Sequence, residues 1–179
     1  MKVIFLIDES GSMYPYINSV KKTFGEYLEK TAENVDSYSV YTFDTRVKAH
    51  MNKGGKPQID NYQPGGTTAL YDAVAEVIDL HSNLEKDVQL IIHTDGADNS
   101  SEEFTKAAME ALLEEKEEQG WMVTFLTEGS LAERMYGDIN VSMKVSLSND
   151  INRSAAMSAI AASTCLYSKG GKTVGEFKC

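Results

Sequence analysis

Three short clusters in the sequence gather oxygen donors beside permissive backbone: Asp8-Glu9-Ser10-Gly11-Ser12, Gly65-Gly66-Thr67-Thr68-Ala69-Leu70 and Thr94-Asp95-Gly96. In the first, alternate positions of a tight loop let one carboxylate and two hydroxyls converge on a point. The second presents a hydroxyl at the start of a helix, and the third holds a carboxylate at the end of a strand. Such a set is all oxygen, with few carboxylates and several hydroxyls, and it suits a hard divalent cation, whereas zinc prefers sulfur or nitrogen. Neutral hydroxyls leave the ion incompletely neutralised, so a carboxylate from another molecule completes the shell favourably. Any one cluster alone reads as turn or capping chemistry; the combination is what points to a site. The three histidines, His50, His81 and His93, are dispersed and read as ordinary surface or core residues.

These clusters need elements to position them. Val3 to Ile7 is a continuous apolar run meeting Asp8, the pattern of a strand buried on both faces with a polar site at its carboxyl end. Val20, Phe24, Tyr27, Leu28 and Thr31 recur at helical spacing. Ser37 to Phe43 alternates as a second strand, and Val47 to Met51 follows a turn at Asp44-Thr45 as a short third. Asn52 to Gly66 carries turn chemistry throughout and reads as a loop. A helix is expected from Ala69, capped by Thr67 or Thr68. Val88 to Thr94 is again a buried strand ending at a carboxylate. A helix opening at Ser101-Glu102-Glu103 and stopped by Gly120 follows. Trp121 to Leu126 and Met143 to Leu147 are strands flanking a short helix over Leu131 to Tyr136, and Asn149 or Asp150 caps a final Ala- and Ser-rich helix. The tail around Gly170-Gly171 is expected to fray. Strands alternating with helices predict an α/β fold, a doubly wound, mostly parallel central β-sheet with helices on both faces. Ligands in such sheets bind beyond the carboxyl ends of the strands, where all three clusters fall.

The 179 residues fit one domain, and 42% apolar with 25% charged residues supports a buried core rather than a disordered chain. A net charge of -10 repels phosphate backbones and anionic lipid, which argues against nucleic acid and membrane as partners. The apolar start is too short for a signal peptide or a ~20-residue span, and two cysteines, Cys165 and Cys179, are too few for a disulfide scaffold. A cytoplasmic location is therefore expected.

With these residues in place, the sequence resembles the von Willebrand factor type A domain family. In that family a metal-ion-dependent adhesion site joins Asp-x-Ser-x-Ser, a threonine and an aspartate from three loops. The resemblance runs over residues 1–166, with GGTTALYDA and TDGADNS at the expected later junctions, and leaves 167–179 as a C-terminal tail. It implies a Rossmann-like fold and a metal site of Asp8, Ser10, Ser12, Thr68 and Asp95. The threonine is ambiguous: counting from Gly65-Gly66 picks Thr67, and counting back from Thr-Ala-Leu-Tyr-Asp-Ala picks Thr68. Helices hold register better than glycine loops, so Thr68 is preferred, with Thr67 as the alternative. Glu9, Tyr71, Asp98 and Asn99 read as rim or turn residues, and Asp44 as a solvated turn. The implied function is a non-enzymatic protein-binding module that uses Mg²⁺, or Mn²⁺ or Ca²⁺ in its place, to take a Glu or Asp carboxylate of another protein.

Two rivals stand beside it. A Mg-dependent phosphoacceptor domain shares the parallel sheet, but its first strand ends in an acidic pair, and here one acid is followed by serines. A metal-free interaction scaffold would keep the fold and bind through loops or an edge strand. No Gly-x-Ser-x-Gly frame surrounds Ser10, and no motif places a catalytic histidine.

Overall fold

The computed structural model describes residues 1–50, 57–147 and 150–170. Residues 51–56, including Gly54-Gly55, the proposed cap Asn149, and the tail from Gly171 with Cys179 lie outside the described residues. In chain order the elements are β1 (Lys2–Asp8), a 3₁₀ turn (Gly11–Tyr16), α1 (Ile17–Thr31), β2 (Ser37–Phe43), β3 (Val47–His50), α2 (Leu70–Leu80), β4 (Val88–Thr94), α3 (Lys106–Glu118), β5 (Met122–Glu128), α4 (Gly129–Tyr136), β6 (Met143–Leu147) and α5 (Asp150–Ser168). The six strands form one sheet in the order β3-β2-β1-β4-β5-β6, parallel throughout except for β3, which pairs antiparallel with β2 through a tight turn. The expected doubly wound α/β architecture is the observed one.

The two-residue period of a strand divides the apolar run of β1 between two cores. Val3, Phe5 and Ile7 face α1 and α5, where Phe5 meets Phe24 and Tyr27 edge-on at 5.0 Å. Ile4 and Leu6 face the other side with residues of α2, α3 and α4. Burial on both faces explains why β1, β4 and β5 read as continuous apolar runs, and it fixes where their carboxyl ends emerge.

Several element bounds differ from the sequence expectation: β5 runs from Met122 to Glu128 rather than Trp121 to Leu126, α4 opens at Gly129 rather than Leu131, and the starts of α2 and α3 differ in their capping. Neither Thr67 nor Thr68 caps α2: Ala69 occupies the N-cap without a side-chain hydrogen bond. The free N–H groups of its first turn are bound from across the fold, Tyr71 N–H by Asp98 Oδ2 at 3.2 Å and Asp72 N–H by Ser101 Oγ at 3.1 Å. In return, the Asp72 carboxylate accepts the N–H groups of Glu102, Glu103 and Phe104. That contact holds residues 102–104 out of helical geometry, so α3 begins at Lys106 rather than Ser101, with Thr105 Oγ1 accepting from Ala108 N–H as its cap. Gly120 ends α3 with φ at +95°, the left-handed conformation glycine adopts without strain. Cys165 is a free, half-exposed thiol, and no helix among the described residues is long and apolar enough to cross a membrane.

Candidate metal centre

β1 delivers Asp8 to the carboxyl edge of the sheet with its side chain fully buried. One carboxylate oxygen accepts Ser10 N–H at 2.8 Å and the other accepts the Thr94 hydroxyl at 2.6 Å, so β4 and the loop after β1 orient the same group. The backbone is held as well, since the Tyr62 hydroxyl donates to Asp8 O at 2.7 Å. Ser10 Oγ lies 3.2 Å from Ser12 Oγ, and Ser12 Oγ donates to Asp95 Oδ1 at 2.7 Å. Asp8, Ser10, Ser12 and Asp95 thus form one hydrogen-bonded group drawn from two strand ends.

The threonine loop is stitched to this group by backbone. Gly11 N–H donates to Gly66 O at 3.1 Å and Gly65 N–H to Glu9 O at 2.8 Å. The approach is so close that a Cβ on Gly11 would stand 3.3 Å from the Gly66 oxygen, and Gly66 itself has φ at +76°. Glycine thus serves close packing at Gly11 and a left-handed backbone at Gly66, and neither is a mark of looseness. Beyond them the two threonines differ. Thr67 is exposed, and its hydroxyl accepts from Ser100 Oγ at 2.6 Å. Thr68 is buried, its N–H bound by Asn99 Oδ1 and its carbonyl by the Asn99 and Ser100 N–H groups, and its hydroxyl makes no hydrogen bond among the described residues.

The electrostatics of the group are unfavourable as it stands. Burial pushes the carboxyl of Asp8 above its ordinary range, against the opposing effect of its hydrogen bonds to Ser10 and Thr94. Burial likewise raises Asp95, with the negative charge of Asp8 adding to the rise. Two carboxylates near one another and short of water are the condition a cation relieves. Among the described residues no three His, Cys, Asp or Glu side chains cluster for a metal, so any ion here rests on two carboxylates and neutral hydroxyls. That composition fits a hard divalent cation held by Asp8, Ser10, Ser12, Thr68 and Asp95.

Several neighbours do more than the rim or turn roles expected of them. Glu9 is buried and points away from the group, accepting from Thr42 Oγ1 at 2.9 Å, Lys48 Nζ at 3.0 Å and Gln63 N–H at 2.8 Å. Asp44 accepts from Lys48 and from Arg46 N–H, and its carbonyl accepts Ala69 N–H, so it braces the threonine loop. Asp98 and Asn99 organise the start of α2. Tyr62 was not singled out from sequence, and Thr94 entered only as the first residue of the Thr94-Asp95-Gly96 cluster, without the role of holding Asp8. Thr94 stands at the expected strand end, whereas Tyr62 lies in a segment without periodicity and gave no signal. The histidines serve elsewhere: His50 bonds Thr42, His81 bonds Tyr41 and His93 bonds Glu128.

No protein-family profile and no curated protein matches the sequence. Comparison of structures does find relatives in fold. A von Willebrand factor type A protein of Catenulispora acidiphila superposes with a TM-score of 0.65 at 13% identity, over 92% of this chain and 42% of the other. Proximal thread matrix protein 1 of the mussel byssus gives 0.68 at 18% identity, over 92% and 46%. A form of that mussel protein with a zinc-occupied metal-ion-dependent adhesion motif gives 0.62 at 16% identity, over 92% and 48%. At these identities the likeness concerns the fold, and the chain spans less than half of each of these structures. The chain has the von Willebrand factor type A fold.

Proposed function

We propose that this von Willebrand factor type A fold is a metal-dependent protein-docking module. A divalent cation, Mg²⁺ foremost with Mn²⁺ or Ca²⁺ as substitutes, is held by Asp8, Ser10, Ser12, Thr68 and Asp95 and takes a Glu or Asp carboxylate of another protein. The observation that carries the reading is the convergence of three loops on an all-oxygen group, beside which Thr68, a residue 3% exposed, keeps a hydroxyl with no hydrogen bond among the described residues. The mussel protein's zinc-occupied motif supports a divalent ion in this fold. The absence of nitrogen and sulfur from the donor set argues for magnesium over zinc here. Catalysis is not part of the proposal: the Ser10 and Ser12 hydroxyls bond to each other and to Asp95, and the three histidines bond Tyr41, Thr42 and Glu128 instead. A cytoplasmic setting is part of the proposal, since two cysteines in 179 residues are fewer than a disulfide-stapled extracellular domain uses.

Partner attraction must be local, because a net charge of -10 repels an acidic partner at a distance. Apolar contact is available at the rim, where Tyr14, two residues beyond Ser12, is 71% exposed. The test is calorimetric titration of Mg²⁺, Mn²⁺ and Ca²⁺ into the wild type and two threonine variants. Thr68→Val removes a hydroxyl at nearly constant volume and is expected to weaken cation binding about 10- to 100-fold. Thr67→Val breaks only the contact with Ser100 and is expected to change it less than ~3-fold. Equal losses, or a larger loss in Thr67→Val, would overturn the choice of Thr68, and no heat with any of the three ions in the wild type would overturn the metal-dependent reading.

A further inference from the structure

We infer that Arg46 is a second recognition point of the docking face, which reads an additional carboxylate of the same acidic partner; this rests on the metal-dependent reading above. Arg46 lies in the turn between β2 and β3, at the carboxyl edge of the sheet. It is tied to the threonine loop through Asp44, whose carbonyl accepts Ala69 N–H at 2.8 Å. A Cβ on Gly66 would lie 3.7 Å from the Asp44 Cβ, so the turn is packed against the backbone that leads into Thr68.

The charge state of this turn is lopsided. Asp44 is the carboxylate nearest to Arg46 in sequence, yet both its oxygens are occupied, Oδ1 by the Arg46 backbone N–H at 3.0 Å and Oδ2 by Lys48 Nζ at 2.8 Å. Lys48 in turn divides its charge between Asp44 and the buried Glu9. Arg153, another cation at this edge, is bound to Glu128. The Arg46 side chain is exposed, and its guanidinium makes no hydrogen bond or ion pair among the described residues. In a chain with 27 acidic and 17 basic residues, an open guanidinium beside the metal loop is a local reversal of the overall field. A planar fork of N–H donors matches a carboxylate geometrically, which an ammonium does not. A partner with one carboxylate for the ion and a second for Arg46 satisfies both, whereas a partner with one acid leaves Arg46 unused.

The experiment uses the Mn²⁺-loaded full chain and two blocked synthetic peptides, acetyl-Gly-Glu-Gly-Glu-Gly-amide and its counterpart with the second Glu replaced by Gln. Each is titrated into the wild type and Arg46→Gln, and paramagnetic broadening of the peptide resonances reports contact with the ion. Two carboxylates double the chance of ligation in either protein, so the signal is the further preference for the doubly acidic peptide. In the wild type that extra factor is expected to be ~2- to 5-fold, and in Arg46→Gln it is expected to vanish, while the singly acidic peptide binds both proteins alike. The same preference in both proteins overturns the role of Arg46 and leaves the docking reading standing. Absence of chelator-sensitive broadening with either peptide in the wild type removes the docking reading, and the role of Arg46 with it.

Discussion

Asp8→Asn is expected to abolish divalent-cation binding and, in the absence of metal, to leave the protein at least as stable as the wild type at neutral pH. The change is nearly isosteric. Its carboxamide oxygen still accepts Ser10 N–H, and its NH₂ group donates to the Thr94 hydroxyl, which accepts instead of donating, so both contacts of Asp8 survive in altered polarity. What disappears is a buried negative charge. Because burial raises the carboxyls of Asp8 and Asp95, the folded state keeps their protons to higher pH than the unfolded chain does. Their contribution to stability is therefore fully present below the unfolded value of about 4 and is lost as pH rises through the folded values. The metal-free wild type should lose stability over that window, and Asp8→Asn should flatten the dependence. Saturating metal acts in the opposite direction: at a hundredfold excess over Kd it adds about 2.7 kcal/mol, or ~5–10 °C in Tm for a chain of this size. Thermal melts with and without Mg²⁺ should show that increment in the wild type and none in the variant. A variant that no longer unfolds cooperatively would make Asp8 a structural residue and remove the main support for a cation there.

The positions that carry this expectation were legible from sequence because strand ends advertise themselves. An apolar run that meets a carboxylate, as at Val3 to Asp8 and Val88 to Asp95, fixes both the burial of the strand and the edge on which its last side chain emerges. β2, from its alternation, and β6 were likewise readable to the residue. The parts that were not legible depend on contacts between distant segments. α3 starts late because Asp72, on α2, captures the N–H groups of residues 102–104, and nothing near Ser101 in the sequence records that. The two threonines looked alike as helix caps, and only the placement of Asn99 and Ser100 distinguishes the engaged hydroxyl of Thr67 from that of Thr68. Ile59 and Tyr62 sit in a turn-rich stretch with no period, yet both are buried, and Tyr62 anchors the backbone of Asp8.

The largest stability effect is expected behind the site, at Glu128. This carboxylate is 1% exposed at the end of β5; one oxygen lies 3.1 Å from His93 Nε2 and the other accepts Arg153 Nη2 at 2.5 Å. The guanidinium also lies 5.3 Å from the ring centre of Tyr16, so one buried ion pair joins β4, β5, α5 and the turn after β1. At the other end of the same sheet face, Gln89 binds Tyr27, Thr124 and Thr164, which pins α5 a second time through polar contacts. Glu128→Ala strips the counter-charge from Arg153 while the cation stays mostly buried, a loss of about 3–5 kcal/mol, or ~6–20 °C in Tm. Arg153→Met is expected to cost a similar amount by stranding Glu128. Combining Glu128→Gln with Arg153→Met removes both charges together and should recover most of the loss, because a neutral amide and an apolar side chain leave no unpaired ion. Denaturant unfolding with an unchanged m-value checks all three variants, and single changes costing under ~1 kcal/mol would show that water already screens the pair. The consequence for the site runs through adjacent residues. His93 immediately precedes Thr94, and Thr94 holds Asp8, so the ion pair backs the strand end on which the carboxylate proposed to take the cation is set.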